Sequence, residues 1–299
     1  MGSLTMIVVT TPTGNVGRQV LLNLLEGSEA IRVIARDPSR LPSQTRGRIE
    51  IVQGSHGDIG VVNHAFAGVD AVFWLVPADH HAESVDAAYV DFTRPACDAF
   101  RKCGVKRVVG VSALGRGTML AQNAGHVTAS LRMDDLIASA GVSYRALTMP
   151  SFMDNVLYQL ASIKNEGVFF EATPGDLKVP TCATRDIAAV AARLLLDPSW
   201  SGQDSVSVLG PEDLSFNEMA QIMSEVLGRP VRFGELPVEA LRARLTDNGY
   251  SEPMTQAMID MMVAKNEGLF NAEPRTPRST TPTTFRQWCE AVLKPEVSS

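Results

Sequence analysis

Two glycines, Gly14 and Gly17, lie between an apolar, β-branched run (Met6–Thr10) and a stretch of helical periodicity (Asn15–Glu26, through Val16, Val20, Leu21 and Leu24). A strand–turn–helix unit of this kind aims backbone N–H groups and the positive end of a helix dipole at a bound anion. Gly14 would let a pyrophosphate approach the backbone, and Gly17 would let the helix pack closely on the sheet. The bland alternative is a tight turn without a ligand. The turn Thr11-Pro12-Thr13-Gly14-Asn15-Val16-Gly17 is expected to hold a dinucleotide. The next strand ends at Ala35-Arg36-Asp37. NAD-preferring sites place an acidic residue at this strand end, to bind the ribose 2′-hydroxyl. Here Arg36 stands there, with Ser39 and Arg40 behind it, and a guanidinium can hold a 2′-phosphate bidentately. NADPH is therefore expected over NADH. A surface pairing of Arg36 with Asp37 is the alternative, and Asp37 leaves some use of NADH open.

Other groups could carry chemistry. His126 is the only histidine on its expected helix and, as an imidazolium, would titrate in the range of a general acid. The rival reading is a partly exposed helix residue. His80 and His81 follow Val76-Pro77, with Asp79 beside them. Met254, Met258, Met261 and Met262 fall at helical spacing, which suits either a lid over a bulky apolar ligand or ordinary core.

These residues need a frame. Ile31–Ala35, Ile51–Val52, Ala71–Val76, Arg107–Val111 and Tyr144–Thr148 read as further strands. Ser84–Cys103 and Ala121–Ala140 read as helices, the second ended by Gly141. Continuous apolar strands alternating with helices predict a doubly wound parallel α/β sheet. After Pro150 helices dominate: one from near Asp154 to before Gly167, then Arg185–Leu196, Phe216–Leu227, Val238–Leu245 and Glu252–Lys265, with a late strand at Ser205–Leu209. A Pro/Thr-rich loop, Glu273–Thr284, precedes a terminal helix at Phe285–Leu293. The expected division is a nucleotide-binding core over residues 1–150, rejoined by 179–210, and a smaller, mostly helical lid region over 151–178 and 211–299.

The 299 residues carry a net charge of −6, with 45% hydrophobic and 20% charged residues, and show no basic cluster, which argues against a nucleic-acid partner. No apolar run approaches the ~20 residues that cross a bilayer. No secretory signal is evident, so a cytoplasmic location is expected. Cys97, Cys103, Cys182 and Cys289 show no metal-ligand spacing, and no metal is expected.

The chain resembles the NmrA-like family of atypical short-chain dehydrogenases/reductases. The resemblance rests on Thr13-Gly14-Asn15-Val16-Gly17, Val33-Ile34-Ala35-Arg36-Asp37-Pro38, Gly68-Val69-Asp70-Ala71-Val72-Phe73 and Gly104-Val105-Lys106-Arg107-Val108-Val109. Val111-Ser112-Ala113-Leu114-Gly115, Pro150-Ser151-Phe152-Met153-Asp154-Asn155, Arg185-Asp186-Ile187-Ala188 and Leu209-Gly210-Pro211-Glu212 complete it. It implies a Rossmann-like core, a small C-terminal substrate region and an NAD(P)(H) site at the carboxyl ends of the strands, where Val76, Pro77 and Pro150 are expected to flank the cofactor. Phe152 and Met153, just after the sixth strand, are expected to line the substrate pocket, with Met258 and Met262 on the lid. It places Ser112 where the superfamily keeps a substrate-binding hydroxyl. Two departures stand out. Thr11 replaces the usual first glycine of the turn, and its hydroxyl is a candidate hydrogen-bond donor. The usual Tyr-x-x-x-Lys pair is absent, with His126 at the tyrosine position and Ser130 at the lysine position. Ser112 and His126 are the expected catalytic pair. The expected function is NADPH-dependent reduction of a ketone, quinone or related conjugated small molecule, by a monomer or homodimer. The alternative is a non-catalytic NADP(H)-sensing regulator with a protein partner.

Overall fold

The apolar runs of the first half become the centre of a parallel sheet in the computed structural model, which describes residues 5–298. In chain order the strands are β1 Met6–Thr10, β2 Ala30–Ala35, β3 Glu50–Gln53, β4 Ala71–Trp74, β5 Arg107–Ala113, β6 Ser143–Met149, β7 Ser151–Phe152, β8 Val168–Glu171, β9 Val179–Cys182, β10 Gln203–Ser207, β11 Asp213–Leu214 and β12 Arg232–Glu235. The main sheet has seven strands in the order β10-β6-β5-β4-β1-β2-β3, every pairing parallel. The chain therefore leaves β1 toward one edge and returns to β4 on its other side. That reversal opens a crevice at the carboxyl ends of β1 and β4, where doubly wound folds bind ligands. Thr10 ties the two strand ends together: its hydroxyl donates to the Phe73 carbonyl and accepts from the Leu75 N–H, both at 3.0 Å.

The central strands β1 and β4 are apolar almost throughout because helices cover both faces. Ile7, Val9, Ala71 and Phe73 pack against α1 (Asn15–Leu24) on one face, where a later helix, Thr184–Leu196, also lies. Val8, Val72 and Trp74 face the other side, against Val62, Phe66, Cys97, Phe100, Met133 and Ile137. Strand alternation thus divides the core into two layers. A third core holds the later part of the chain, around Phe169, Phe216, Met223, Phe285 and Trp288.

Several boundaries differ from the sequence reading, for local reasons. The expected Ala121–Ala140 helix is broken. A 3₁₀ turn covers Leu120–Asn123, and the α-helix runs only over His126–Ser139. Gly125 makes the break at φ 51°, and a Cβ there would lie 1.9 Å from the Ala257 carbonyl oxygen. His126 is consequently the first residue of a helix rather than an interior one. The expected Ser84–Cys103 helix carries a π-helical turn at Ala87–Asp91. The late strand is Gln203–Ser207, two residues before its expected place, and pairs with β6. Val179–Cys182 lies between β7 and β11 in a separate three-stranded sheet. β8 and β12, short and aromatic-rich, pair with each other and were not anticipated. The four cysteines are all free. No helix among the described residues is long and apolar enough to cross a membrane.

Candidate active site and cofactor groove

The turn after β1 forms one wall of a cleft of about 510 Å³, lined by Thr11, Thr13 and Gly14 on one side and Ala35, Arg36, Asp37 and Arg40 on the other. Gly14 is the N-cap of α1, in extended conformation at φ −82°, with no side-chain cap. The first N–H groups of that helix are thus left for a ligand. A Cβ on Gly14 would meet the Thr11 carbonyl oxygen and Cβ at van der Waals distance, 3.4 and 3.9 Å, whereas one on Gly17 would lie 2.2 Å from the same oxygen. Gly17 is required by the fold, and Gly14 keeps the cleft open.

Thr11 adopts φ 51°, the only non-glycine residue at positive φ among those described. A left-handed β-branched residue costs roughly 1–2 kcal/mol. The position is one that glycine would fill without strain, and threonine occupies it. Its Oγ1 is buried without a hydrogen-bond partner. Asn15 turns away from the cleft: its amide donates to Asp154 at 3.0 Å, and Asp154 also accepts from the Thr184 N–H and hydroxyl. Val16 is core.

Asp37 does not pair with Arg36. Its carboxylate accepts from the Ser39 N–H at 2.9 Å and the Ser39 hydroxyl at 2.6 Å, which caps a short 3₁₀ turn and holds the carboxyl below its usual range. Arg36 and Arg40 are exposed at the cleft, and among the described residues neither guanidinium forms a salt bridge. Two free guanidiniums, a cradle without Cβ, an uncapped helix start and an orphaned hydroxyl fit a dinucleotide phosphate.

His56, which the sequence reading passed over, lies under the cleft. Its ring meets Trp74 and Phe92 edge-on, with centroids 5.1 and 4.9 Å away, and its Nε2–H donates to the Leu75 carbonyl at 3.0 Å. Burial drives its pKa down to about 4, with nearby Arg36 adding to the effect. Pro77 lines this cleft and the adjoining cavity around His80. Asp79, His80 and His81 form a cluster at the rim of that cavity, largely exposed.

A second cavity, about 260 Å³, opens at the ends of β4 and β5, lined by Val76, Tyr89, Ser112, His126, Phe152 and Met261, among others. Of the expected substrate residues, Phe152 lines this space. Met153 lines a smaller cavity behind it. On the Glu252–Asn266 helix Met261 faces the cavity, whereas Met262 is buried and Met258 half-buried, and neither is among the lining residues. Pro150 is buried at the bend between β6 and β7 and lines neither space.

Ser112 does not stand free. Its hydroxyl donates in a short contact to Asp134, which also accepts from the Tyr144 hydroxyl at 2.7 Å and from Arg116 at 3.3 Å. Burial raises the Asp134 carboxyl to about 6 against those hydrogen bonds. His126 is half-buried, and desolvation presses its pKa down to about 4, so the ring is neutral near pH 7. It is not the imidazolium considered from sequence. Its Nδ1 lies 3.4 Å from the Tyr89 hydroxyl. Burial raises that phenol to about 12, so it keeps its proton. The sequence reading did not single out Tyr89. The π-helical turn that holds it is the kind of local distortion often found at functional sites.

These shifts set an expected acid sensitivity. His56 and His126 titrate near 4 when folded and near 6.5 when unfolded, so the unfolded chain binds more protons between those values. Stability falls as pH drops through that window, by about 3 kcal/mol for each histidine. Asp134 acts oppositely, because its raised folded pKa stabilises the fold as pH drops from 6 toward 4, by a similar amount. Urea unfolding between pH 7 and 4 should show a net loss of about 3 kcal/mol, which His56→Gln removes. Stability unchanged over that range would contradict the burial of these rings.

A family profile described as NAD(P)H-binding matches residues 12–198, more than half of the chain. The chain belongs to this family. Along its full length it is similar to the (4-alkanoyl-5-oxo-2,5-dihydrofuran-3-yl)methyl phosphate reductase of Streptomyces griseus, 32% identical over 291 residues that cover 95% of this chain and 96% of that one. It is also similar to the NAD(P)H azoreductase of Xenophilus azovorans, 27% identical over 86% of each chain. Among solved structures, the fold matches a triphenylmethane reductase from Citrobacter sp. complexed with NADP(H) (TM-score 0.75, 18% identity, 99% of each chain). It matches an NADPH-dependent quinone oxidoreductase of Escherichia coli (TM-score 0.76, 21% identity, 96% of this chain and all of that one). The Rossmann-like fold and the NAD(P)H cofactor stand as expected from sequence, and the chain is an NAD(P)H-dependent oxidoreductase.

Proposed function

We propose that this chain is an NADPH-dependent reductase of conjugated electrophiles: quinones, unsaturated lactones or enones, including bulky aromatic ones. The observation that carries this reading is the cavity at the ends of β4 and β5, where a protonated Tyr89, a neutral His126 and Ser112 face one space. A bound NADPH supplies a hydride. Thr11–Gly14 would hold its pyrophosphate, and Arg36 and Arg40 its 2′-phosphate. Neither Tyr89 nor His126 is a strong acid at neutral pH. They suit an acceptor whose charge spreads over a conjugated system and ends on an oxygen that needs only a hydrogen-bond donor. Tyr89 donates to that oxygen, His126 orients the phenol, and Ser112, fixed by Asp134, positions the acceptor. The furanone in the name of the Streptomyces griseus relative is an electrophile of this kind. The rival reading, a non-catalytic sensor, would be favoured by a blocked cavity or a large exposed apolar patch. The cavity is open, and the large exposed apolar side chains, such as Leu22, Met119 and Tyr158, are scattered along the chain.

The test is NADPH consumption with quinones, furanones and aromatic ketones. Activity unaffected by both Ser112→Ala and His126→Ala would remove the site assignment. Cofactor choice is tested separately. Arg36→Ala should weaken NADPH about 10- to 100-fold, the worth of charge-assisted bonds to a phosphate, and leave NADH affinity nearly as it was. Equal affinities for both cofactors in the unaltered protein would refute the 2′-phosphate role.

A further inference from the structure

One buried cation has no part in the site just described. Lys265, near the end of the Glu252–Asn266 helix, is fully buried, and its Nζ has no hydrogen-bond partner. The Glu171 carboxylate comes only to 3.8 Å, and the Phe216 ring centroid lies 5.2 Å away. Two more buried polar atoms nearby in the chain are unpartnered, Thr173 Oγ1 and Asn266 Oδ1. Asn266 donates to the Ala172 carbonyl at 2.9 Å, so the 171–173 segment and this helix end are in contact. A buried ammonium with no hydrogen bond and only a distant carboxylate is a costly arrangement, and such groups concentrate at functional sites.

Its position supplies the ligand. Glu171 and Phe216 line a small cavity together with Phe152, Phe169 and Phe170. Phe152 lines both this cavity and the acceptor cavity. On the Glu252–Asn266 helix Met261 faces the acceptor cavity, and Lys265 follows one turn later on the same face, about 6 Å further along the axis. Three ammonium protons and one hydroxyl, buried without hydrogen-bond partners, match the oxygens of an anion.

We propose that Lys265, with Thr173, anchors an oxyanion, a carboxylate or phosphate monoester, carried by the electron acceptor whose conjugated end lies beside Tyr89 and Ser112. This rests on the reductase reading above. Glu171 is about one-third exposed and also accepts from the Ala172 N–H at 3.2 Å, so it balances the lysine in the free protein and can turn to water when the oxyanion arrives.

Matched acyl-furanones bearing a phosphomethyl, carboxymethyl or hydroxymethyl group test this with saturating NADPH. In Lys265→Met the kcat/KM ratio of the phosphomethyl to the hydroxymethyl acceptor should fall about 30-fold, through KM, as expected for losing a hydrogen bond between charged groups. Lys265→Arg should recover part of it, and Glu171→Gln should raise the ratio by removing a like charge. The carboxymethyl arm shows which oxyanion is preferred. A ratio unchanged in both Lys265→Met and Glu171→Gln overturns the anchor, as does an equal loss for all three acceptors. Should Lys265→Met fail to fold, Glu171→Gln decides alone, and no rise in the ratio overturns the proposal. If the unaltered protein reduces none of the three, the reductase reading fails for this acceptor class. Calorimetric titration of the phosphomethyl furanone into the NADP-loaded protein and Lys265→Met then decides the anchor. Equal binding to both, or to neither, rejects it.

Discussion

Gly14→Ala should lose NADPH affinity by about 100-fold or more while the protein stays folded, because the added methyl fills the cradle and disturbs little else. The extended backbone at Gly14 accepts any L-residue, and the nearest atom to the new Cβ is the Thr11 carbonyl oxygen at 3.4 Å. Loss of a glycine N-cap to alanine costs at most about 1 kcal/mol. Gly17→Ala should do the reverse. Its Cβ would sit 2.2 Å from the Thr11 carbonyl oxygen and 2.9 Å from the Thr11 hydroxyl, so helix and turn must separate. The cost is about 3 kcal/mol of stability, at the upper end for an overpacked site. Fluorescence titration with NADPH and urea unfolding measure the two effects. If Gly14→Ala binds within about threefold of the unaltered protein, the cleft at this turn is not where the pyrophosphate lies.

Much of this was legible in the residues. Val8 and Val72 pack on one face of the sheet while Ile7 and Phe73 pack on the other, and only a two-sided sheet needs such unbroken apolar strands. The places of the glycine turn and of Arg36 beside the cleft were readable because they depend on the local backbone and on position at a strand end. What sequence did not reveal depends on contacts between distant segments. Gly125 breaks a helix-like stretch because the Ala257 carbonyl presses against it, from a helix more than a hundred residues away. Tyr89 reaches the acceptor cavity through a π-helical turn, which no apolar periodicity announces. Met261, rather than its equally methionine-like neighbours, faces the cavity because the docking of its helix fixes its rotation. Thr11 shows the converse: a departure from the expected glycine was visible at once, but its left-handed backbone and orphaned hydroxyl were not.

The largest expected effect on turnover comes from Tyr89→Phe. The substitution keeps the ring and its packing against His126 and removes only the hydroxyl, the one phenol among the residues lining the cavity. General-acid groups contribute typically 100- to 10,000-fold, and the lower end applies here, since a conjugated acceptor develops a weakly basic oxygen. A fall in kcat of about 100-fold is expected, with NADPH affinity unchanged, because Tyr89 is not among the residues lining the nucleotide cleft. The pH profile separates this from a role for a titrating imidazole. With the phenol near 12 and His126 near 4, neither group changes charge between pH 7 and 9, a range that also lies above the Asp134 carboxyl near 6, and kcat should be flat there. A profile that bends near 6.5 and flattens in His126→Asn would instead make the histidine the acid and leave Tyr89 as its support. Phenylalanine at position 89 with full turnover would remove the hydroxyl from the chemistry altogether, and the proton would then have to come from the acceptor or from solvent.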